Sequence, residues 1–193
     1  MSYGTDAPQG FRVYVTASSS CLNGALSNYS IIDNYATSIF SGDPVAVLGT
    51  GGIGIGVAGA AVRGVFMGVI YTDLNNFTQW SPWWPANTRT FAGRSAKAFV
   101  IDDPNIEFSI QTSTTCNEAD LNNNANFVIG AGNTRNGIST TALNMGSLGN
   151  TATLNCKLIR LEDDPRNAFG VAFNNVIVTL NNHDLKSTGT AGV

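Results

Sequence analysis

Ionisable side chains are scarce in this chain: 12% of its residues are Asp, Glu, Lys or Arg, against roughly 25% in an average soluble protein. Its polar surface must therefore consist mainly of amides and hydroxyls. Such a surface repels neighbours weakly and suits a protein that stays packed against others. The ten Lys and Arg are scattered and the net charge is -3, so there is no basic footprint for a phosphate backbone and direct nucleic-acid binding is not expected. Long apolar runs are missing too. No stretch approaches about 18 uninterrupted apolar residues, and the opening MSYGTDAPQG lacks the basic and apolar regions of a signal peptide. No membrane partner is expected, and the chain should be made in a cytoplasm and stay there until something releases it.

The residues that usually carry chemistry are few. Three cysteines, Cys21, Cys116 and Cys156, are widely spaced with no CxxC pair, and they read as reduced structural thiols. The one histidine, His183, stands beside Asp184, as a base beside its orienting acid. Yet no Ser or Cys carries a nucleophile signature such as GxSxG, and His183 reads as a surface or satisfied residue. One His and three scattered Cys offer no zinc spacing, and the DxDxDG calcium loop is absent. The pairs Asp102/Asp103 and Asp163/Asp164 each precede Pro, where Asp side chains cap turns, so turn punctuation is preferred to acid–base or calcium chemistry. No catalytic residue, metal site or cofactor is assigned, and the chain reads as a non-enzyme.

Glycine, by contrast, is plentiful, and in PVAVLGTGGIGIG (44 to 56) Gly49, Gly51 and Gly54 match the GxGxxG spacing of a dinucleotide-binding loop, with Asp73 downstream. A helix opening at Gly54 would carry Gly56, Gly59, Gly64 and Gly68, each costing about 1 kcal/mol relative to Ala. Little helical pattern follows from which to build a doubly wound fold. The glycines are therefore expected in a β-hairpin or loop, serving turns, bulges or close backbone approach.

Period-two alternation and short apolar runs recur at 10 to 16, 29 to 34, 44 to 49, 65 to 73, 96 to 102, 106 to 112, 152 to 161 and 175 to 180, separated by Gly, Asn, Asp and Pro clusters. The pattern predicts an all-β protein of two barrel- or sandwich-like lobes. Helices should be few and short, with one or two turns each at Asn117 to Ala125 and Gly137 to Met145. A composition shift near Gly93 to Ser95 divides the 193 residues into an N-terminal arm and first strand (1–20), a Gly- and aromatic-rich lobe (21–95), and an Asn- and Thr-rich lobe with a C-terminal tail (96–193).

The densest group of large side chains is FTQWSPWWPANTRTF, residues 77 to 91. Each aromatic can remove about 150 to 250 Å² from water. Its prolines exclude a regular helix and argue against a central strand, so part of it should be an irregular connection. Two readings stand: an aromatic plug in the protein's own core, or a contact surface for protein or, less favoured, for carbohydrate stacking.

Taken in order, several segments resemble a family of structural proteins from tailed bacteriophages, especially podoviruses of marine and freshwater bacteria. They are Gly10-Phe11, YATSIFSGDPV (35 to 45), GVFMGVIYTD (64 to 73), Trp84-Pro85 and AKAFVIDDPNIEFSIQ (96 to 111), then more faintly IGAGNTRNGIS (129 to 139), NAFG (167 to 170) and VTLNNHDL (178 to 185). The chain departs from that pattern at 49 to 59 and 117 to 126. The resemblance implies a virion protein without enzymatic activity, a decoration or cement protein that binds the major capsid protein on the outer capsid surface as a homotrimer. Candidate contacts are Phe77, Trp80, Trp83 and Trp84, with the arm from Tyr3 to Phe11 as a second docking element. The alternatives are a head-fibre or tail component, or a carbohydrate-binding β module.

Overall fold

All eight alternating segments overlap β-strands. The computed structural model describes residues 4–14, 26–186, 189 and 191–192. In chain order the strands are β1 (Arg12–Val13), β2 (Leu26–Ile31), β3 (Ile39–Phe40), β4 (Pro44–Val47), β5 (Ile53–Ile55), β6 (Gly64–Thr72) and β7 (Thr78–Ser81). They continue with β8 (Trp83–Trp84), β9 (Ala96–Ile101), β10 (Glu107–Gln111), β11 (Asn124–Val128), β12 (Ala142–Gly149), β13 (Cys156–Leu161) and β14 (Asn175–Leu180). Helix among the described residues amounts to two single 3₁₀ turns, Phe91–Gly93 and Glu118–Asp120. The protein is all-β.

The strands form two main antiparallel sheets and a ribbon. Sheet I runs β2-β9-β6-β4-β5, with β7 paired to β6; sheet II runs β1-β10-β14-β13-β11-β12; β3 and β8 pair by themselves. A bridge between Thr112 and Leu143 brings β12 back towards the end of β10 and rolls sheet II towards a barrel. One core lies on sheet I around Ile31, Val45, Phe66, Val69, Trp84 and Val100. The other fills sheet II around Phe108, Phe127, Leu143, Leu158 and Val178, and it takes in Phe11, Val62, Val65 and Ile101 as well. Sheet I thus contributes side chains to both cores.

That sharing corrects the division at residue 95. β9 hydrogen-bonds between β2 and β6, so the chain passes from sheet I to sheet II after Ile101, and β1 joins sheet II through β10. Of the two short helical segments expected, the first is present as a single 3₁₀ turn and the second is corrected. At 117 to 125 a capping box between Asn117 and Asp120 closes one 3₁₀ turn, Asn122 turns left-handed at φ 64°, and β11 begins. At 137 to 145 the chain enters β12, where burial of Leu143 and Met145 overrides any local helical tendency.

The sheets are tied together at the SGDP turn. Asp43 is 1% exposed. Its carboxylate accepts the Phe40 N–H at 2.8 Å, the Thr141 hydroxyl at 2.8 Å and the Ser139 hydroxyl. Backbone bonds surround it: Phe11 N–H to Gly42 O, Gly42 N–H to Phe66 O, Phe66 N–H to Asp43 O, and Ser139 N–H to Ser41 O. Gly42 sits at φ 95°, and a Cβ there would stand 3.1 Å from both Gln9 O and Phe11 O. Only glycine lets these segments approach so closely.

Asp43→Ala would strand one amide and two hydroxyls, each costing about 1–3 kcal/mol if left unsatisfied; a loss of about 3 kcal/mol or more in urea denaturation is expected. Burial pushes the Asp43 carboxyl above its ordinary value, with the Ser139, Phe40 and Thr141 donors pulling the other way. The folded state then holds the proton more tightly than the unfolded chain. Its contribution is complete below the unfolded value of about 3.9 and is lost as pH rises through the folded value. The stability gap between the wild type and Asp43→Asn should be widest in acid and narrow towards neutrality.

Candidate interaction surface

Pro82 has no N–H to continue a ladder, and at that residue the aromatic run splits. Before it, β7 extends sheet I on β6; after it, β8 leaves to pair with β3 in the register Ile39–Trp84 and Phe40–Trp83. Trp84 is fully buried, edge-on to Tyr71 at 5.5 Å. Trp83 is half-buried and stacks on Phe40 with centroids 5.1 Å apart and planes 2° from parallel. Two of the three indoles are therefore core or lining, and only Trp80 is open to solvent at 64%.

The β6–β7 hairpin carries the exposed apolar groups. Phe77 is 68% and Leu74 65% exposed. The tip is built to hold its shape: the Asp73 carboxylate accepts the N–H groups of Asn75 and Phe77 and the Gln79 side-chain amide. Asn76 takes the left-handed conformation at φ 66° that a three-residue hairpin loop requires. Successive strand side chains point to opposite faces, so the register Ile70–Trp80 and Tyr71–Gln79 puts Trp80 on one face of the ribbon and Phe77 on the other. Phe77 lies on the side where Tyr71 meets buried Trp84. Trp80 lies on the outer face above Gly68, where a Cβ would stand 3.4 Å from the indole. On that outer face Lys97 pairs with Ile70 and Phe99 with Gly68.

The sequence-derived contact residues divide accordingly. Phe77 and Trp80 are exposed, Trp83 is half-buried, and Tyr3 lies outside the described residues. Phe11 and Trp84 are corrected: Phe11 is 1% exposed, edge-on to Phe108 and Phe127, and belongs to the core with Trp84. The arm is corrected in part, because its described residues are held on their own chain. The buried Gln111 side chain accepts the Ala7 N–H at 2.8 Å and donates to Thr5 O at 3.2 Å.

The glycine loop is a hairpin. Val45–Ile55, Ala46–Gly54 and Val47–Ile53 pair across a turn at 48 to 52, so Gly54 stands inside a strand and opens no helix. Tyr35 accepts the Ile55 N–H from just above Gly54. His183 is buried rather than on the surface, with its Nδ1 accepting the Leu185 N–H. Burial lowers its pKa, and Asp184 pairs with Arg63 at 2.8 Å. The Asp-Pro pairs act as turn and strand fasteners: Asp103 caps Asn105, Asp164 caps Arg166, and Asp102 accepts hydroxyls from Ser27 and Tyr29 on β2. Cys116 and Cys156 are free and buried, burial pushing Cys116 up to about 11 and Cys156 higher; Cys21 lies outside the described residues. Among the described residues no group of three or more His, Cys, Asp or Glu could hold a metal, and no helix could cross a membrane.

Comparison with protein-family models, curated proteins and solved structures finds no match for this chain. Sequence reasoning found the hairpin's aromatics but not their opposite orientation, and it missed Gly68, Lys97 and Phe99. The signal for these was present in the alternation of β6 and β9, once β7 is accepted as a strand.

Burial of Trp84 and exposure of Trp80 give a spectroscopic test. Trp80→Phe should shift the remaining tryptophan emission to the blue and remove most acrylamide-accessible fluorescence. Trp84→Phe should shift it to the red. Equal quenching of the two variants would contradict these placements.

Proposed function

We propose that the chain is a non-enzymatic structural protein of a tailed-bacteriophage virion, which decorates and cements the capsid through the Phe77 side of the β6–β7 hairpin. The observation that carries the docking part is the hairpin itself: a nearly uncharged ribbon with Phe77 and Leu74 exposed at its tip. A partner seated there would bury Phe77. Burying a phenylalanine side chain contributes about 1.5–3 kcal/mol. One such contact is weak, but several copies in one oligomer, acting on a repeating lattice, multiply in effect.

The virion part rests on where the resembling segments fall. YATSIFSGDPV supplies β3, the Asp43 turn and the start of β4; GVFMGVIYTD supplies β6; AKAFVIDDPNIEFSIQ supplies β9 and β10. These form the centre of sheet I and the crossing to sheet II. The departing segments, 49 to 59 and 117 to 126, hold the β4–β5 loop, the edge strand β5, the 3₁₀ turn and the start of β11. The resembling segments, on this reading, supply the framework around the hairpin. On this reading a ligand that binds only the expanded lattice stabilises it by mass action.

Phe77→Ser removes the anchor from a solvent-exposed site and should leave the melting temperature nearly unchanged. Occupancy on purified expanded capsids should fall at least tenfold, measured by co-sedimentation. Full occupancy by a folded Phe77→Ser protein would refute the proposed contact.

A further inference from the structure

The outer face of sheet I has a different chemistry from the Phe77 side, and its features point to one kind of ligand. Trp80 stands on β7, Gly68 and Ile70 on β6, and Lys97 and Phe99 on β9. The register carries this face on to β2, where Asn28 opposes Phe99 and Ser30 opposes Lys97. Asn28 and Ser30 are exposed. The Lys97 ammonium lies 5.7 Å from the Phe99 ring centroid, so it is held over the sheet. Of the face residues named, it alone is ionisable.

The exposed apolar groups here are scattered, with Trp80 on β7 and Leu26, 55% exposed, three strand spacings away on β2. Trp80, at 64% exposure, offers on the order of 150 Å² of indole, whereas a stable protein interface needs about 800 Å² from each partner. An area of that size matches the apolar face of a sugar ring. Trp80 and Lys97 flank Ile70 on either side, two strand spacings or about 10 Å apart at the backbone, a separation suited to adjoining sugar units. Asn28 and Ser30 supply amide and hydroxyl groups for hydroxyl partners. The lone ammonium selects for a negative charge one unit away from the stacked ring.

We infer that this face binds an acidic oligosaccharide, with a pyranose stacked on Trp80 and the carboxylate of a neighbouring uronate paired with Lys97. Gly68 makes room for the indole: a side chain there would meet both the Trp80 ring and the Ser81 carbonyl oxygen. This site is independent of the capsid contact, because Phe77 faces the other way.

The test uses the full-length chain, with tetragalacturonate and, as neutral counterpart, galactotetraose, followed by tryptophan fluorescence and calorimetry. Saturable binding of tetragalacturonate is expected, with a blue shift of the exposed indole. Trp80→Ala should weaken it at least tenfold with the melting temperature retained, and Trp80→Phe should recover part of it. Lys97→Gln should reduce tetragalacturonate binding several-fold and leave weak galactotetraose binding unchanged. The inference is overturned if tetragalacturonate does not bind, if binding survives Trp80→Ala, or if Lys97→Gln affects both sugars alike. It is also overturned if Trp80→Ala instead dissolves an oligomer of the chain, which would make a second copy the occupant.

Discussion

A buried carboxylate pins sheet I to the segment that leads into sheet II, beside a core that both sheets share. Asp43 takes one amide from its own turn and two hydroxyls from the segment leading into β12, and so fixes sheet I against the loop that feeds sheet II. The consequence passes outwards through packed rings. Phe40, whose amide Asp43 binds, stacks on Trp83. Gly132 lies against Phe40, and Gly137 against Pro82 and Trp83. Pro82 is the residue at which the β7 hairpin leaves the ribbon. The β6–β7 ladder sets the direction of the exposed hairpin, and these contacts hold the ribbon it leads into.

Burying that carboxylate has an energetic cost, since desolvation raises its pKa despite three donors. The arrangement is suited to specificity rather than to strength: an apolar residue could fill the space, but it would not hold Phe40, Ser139 and Thr141 to one geometry. The low charge of the surface works in the same direction. With few ions to solvate, the hairpin can approach a partner without stripping water from charged groups, and amide and hydroxyl groups are left to face solvent or sugar.

Much of the fold was legible from alternation. Segments such as GVFMGVIYTD and NVIVTL became β6 and β14 because their apolar residues fill buried faces. The shortest strands were not legible: β3 and β8 are two residues long, too short to show a period. β7 was hidden by the proline after it and by having no buried residue. The contact residues divided for a reason no local pattern reveals. Phe11, Trp83 and Trp84 look as sticky as Phe77 and Trp80 in one dimension; only register and the sharing of Phe11 between strands of both sheets separate core from surface. The function of Asp43 was masked for the opposite reason, because an SGDP turn looks like ordinary punctuation.

Under the proposed function the two faces of the hairpin have different roles: the Phe77 side would meet the particle and the Trp80 side, with its amides, hydroxyls and lysine, would look away from it. A cryo-EM map of purified virions carrying this chain tests that claim most directly. The account predicts density for the two-sheet body at regular positions on the outer surface of the head, with Phe77 against the major capsid protein and the Trp80 face towards solvent. Density confined to the tail, or a head-bound copy with Phe77 in solvent and Trp80 against the shell, would contradict it.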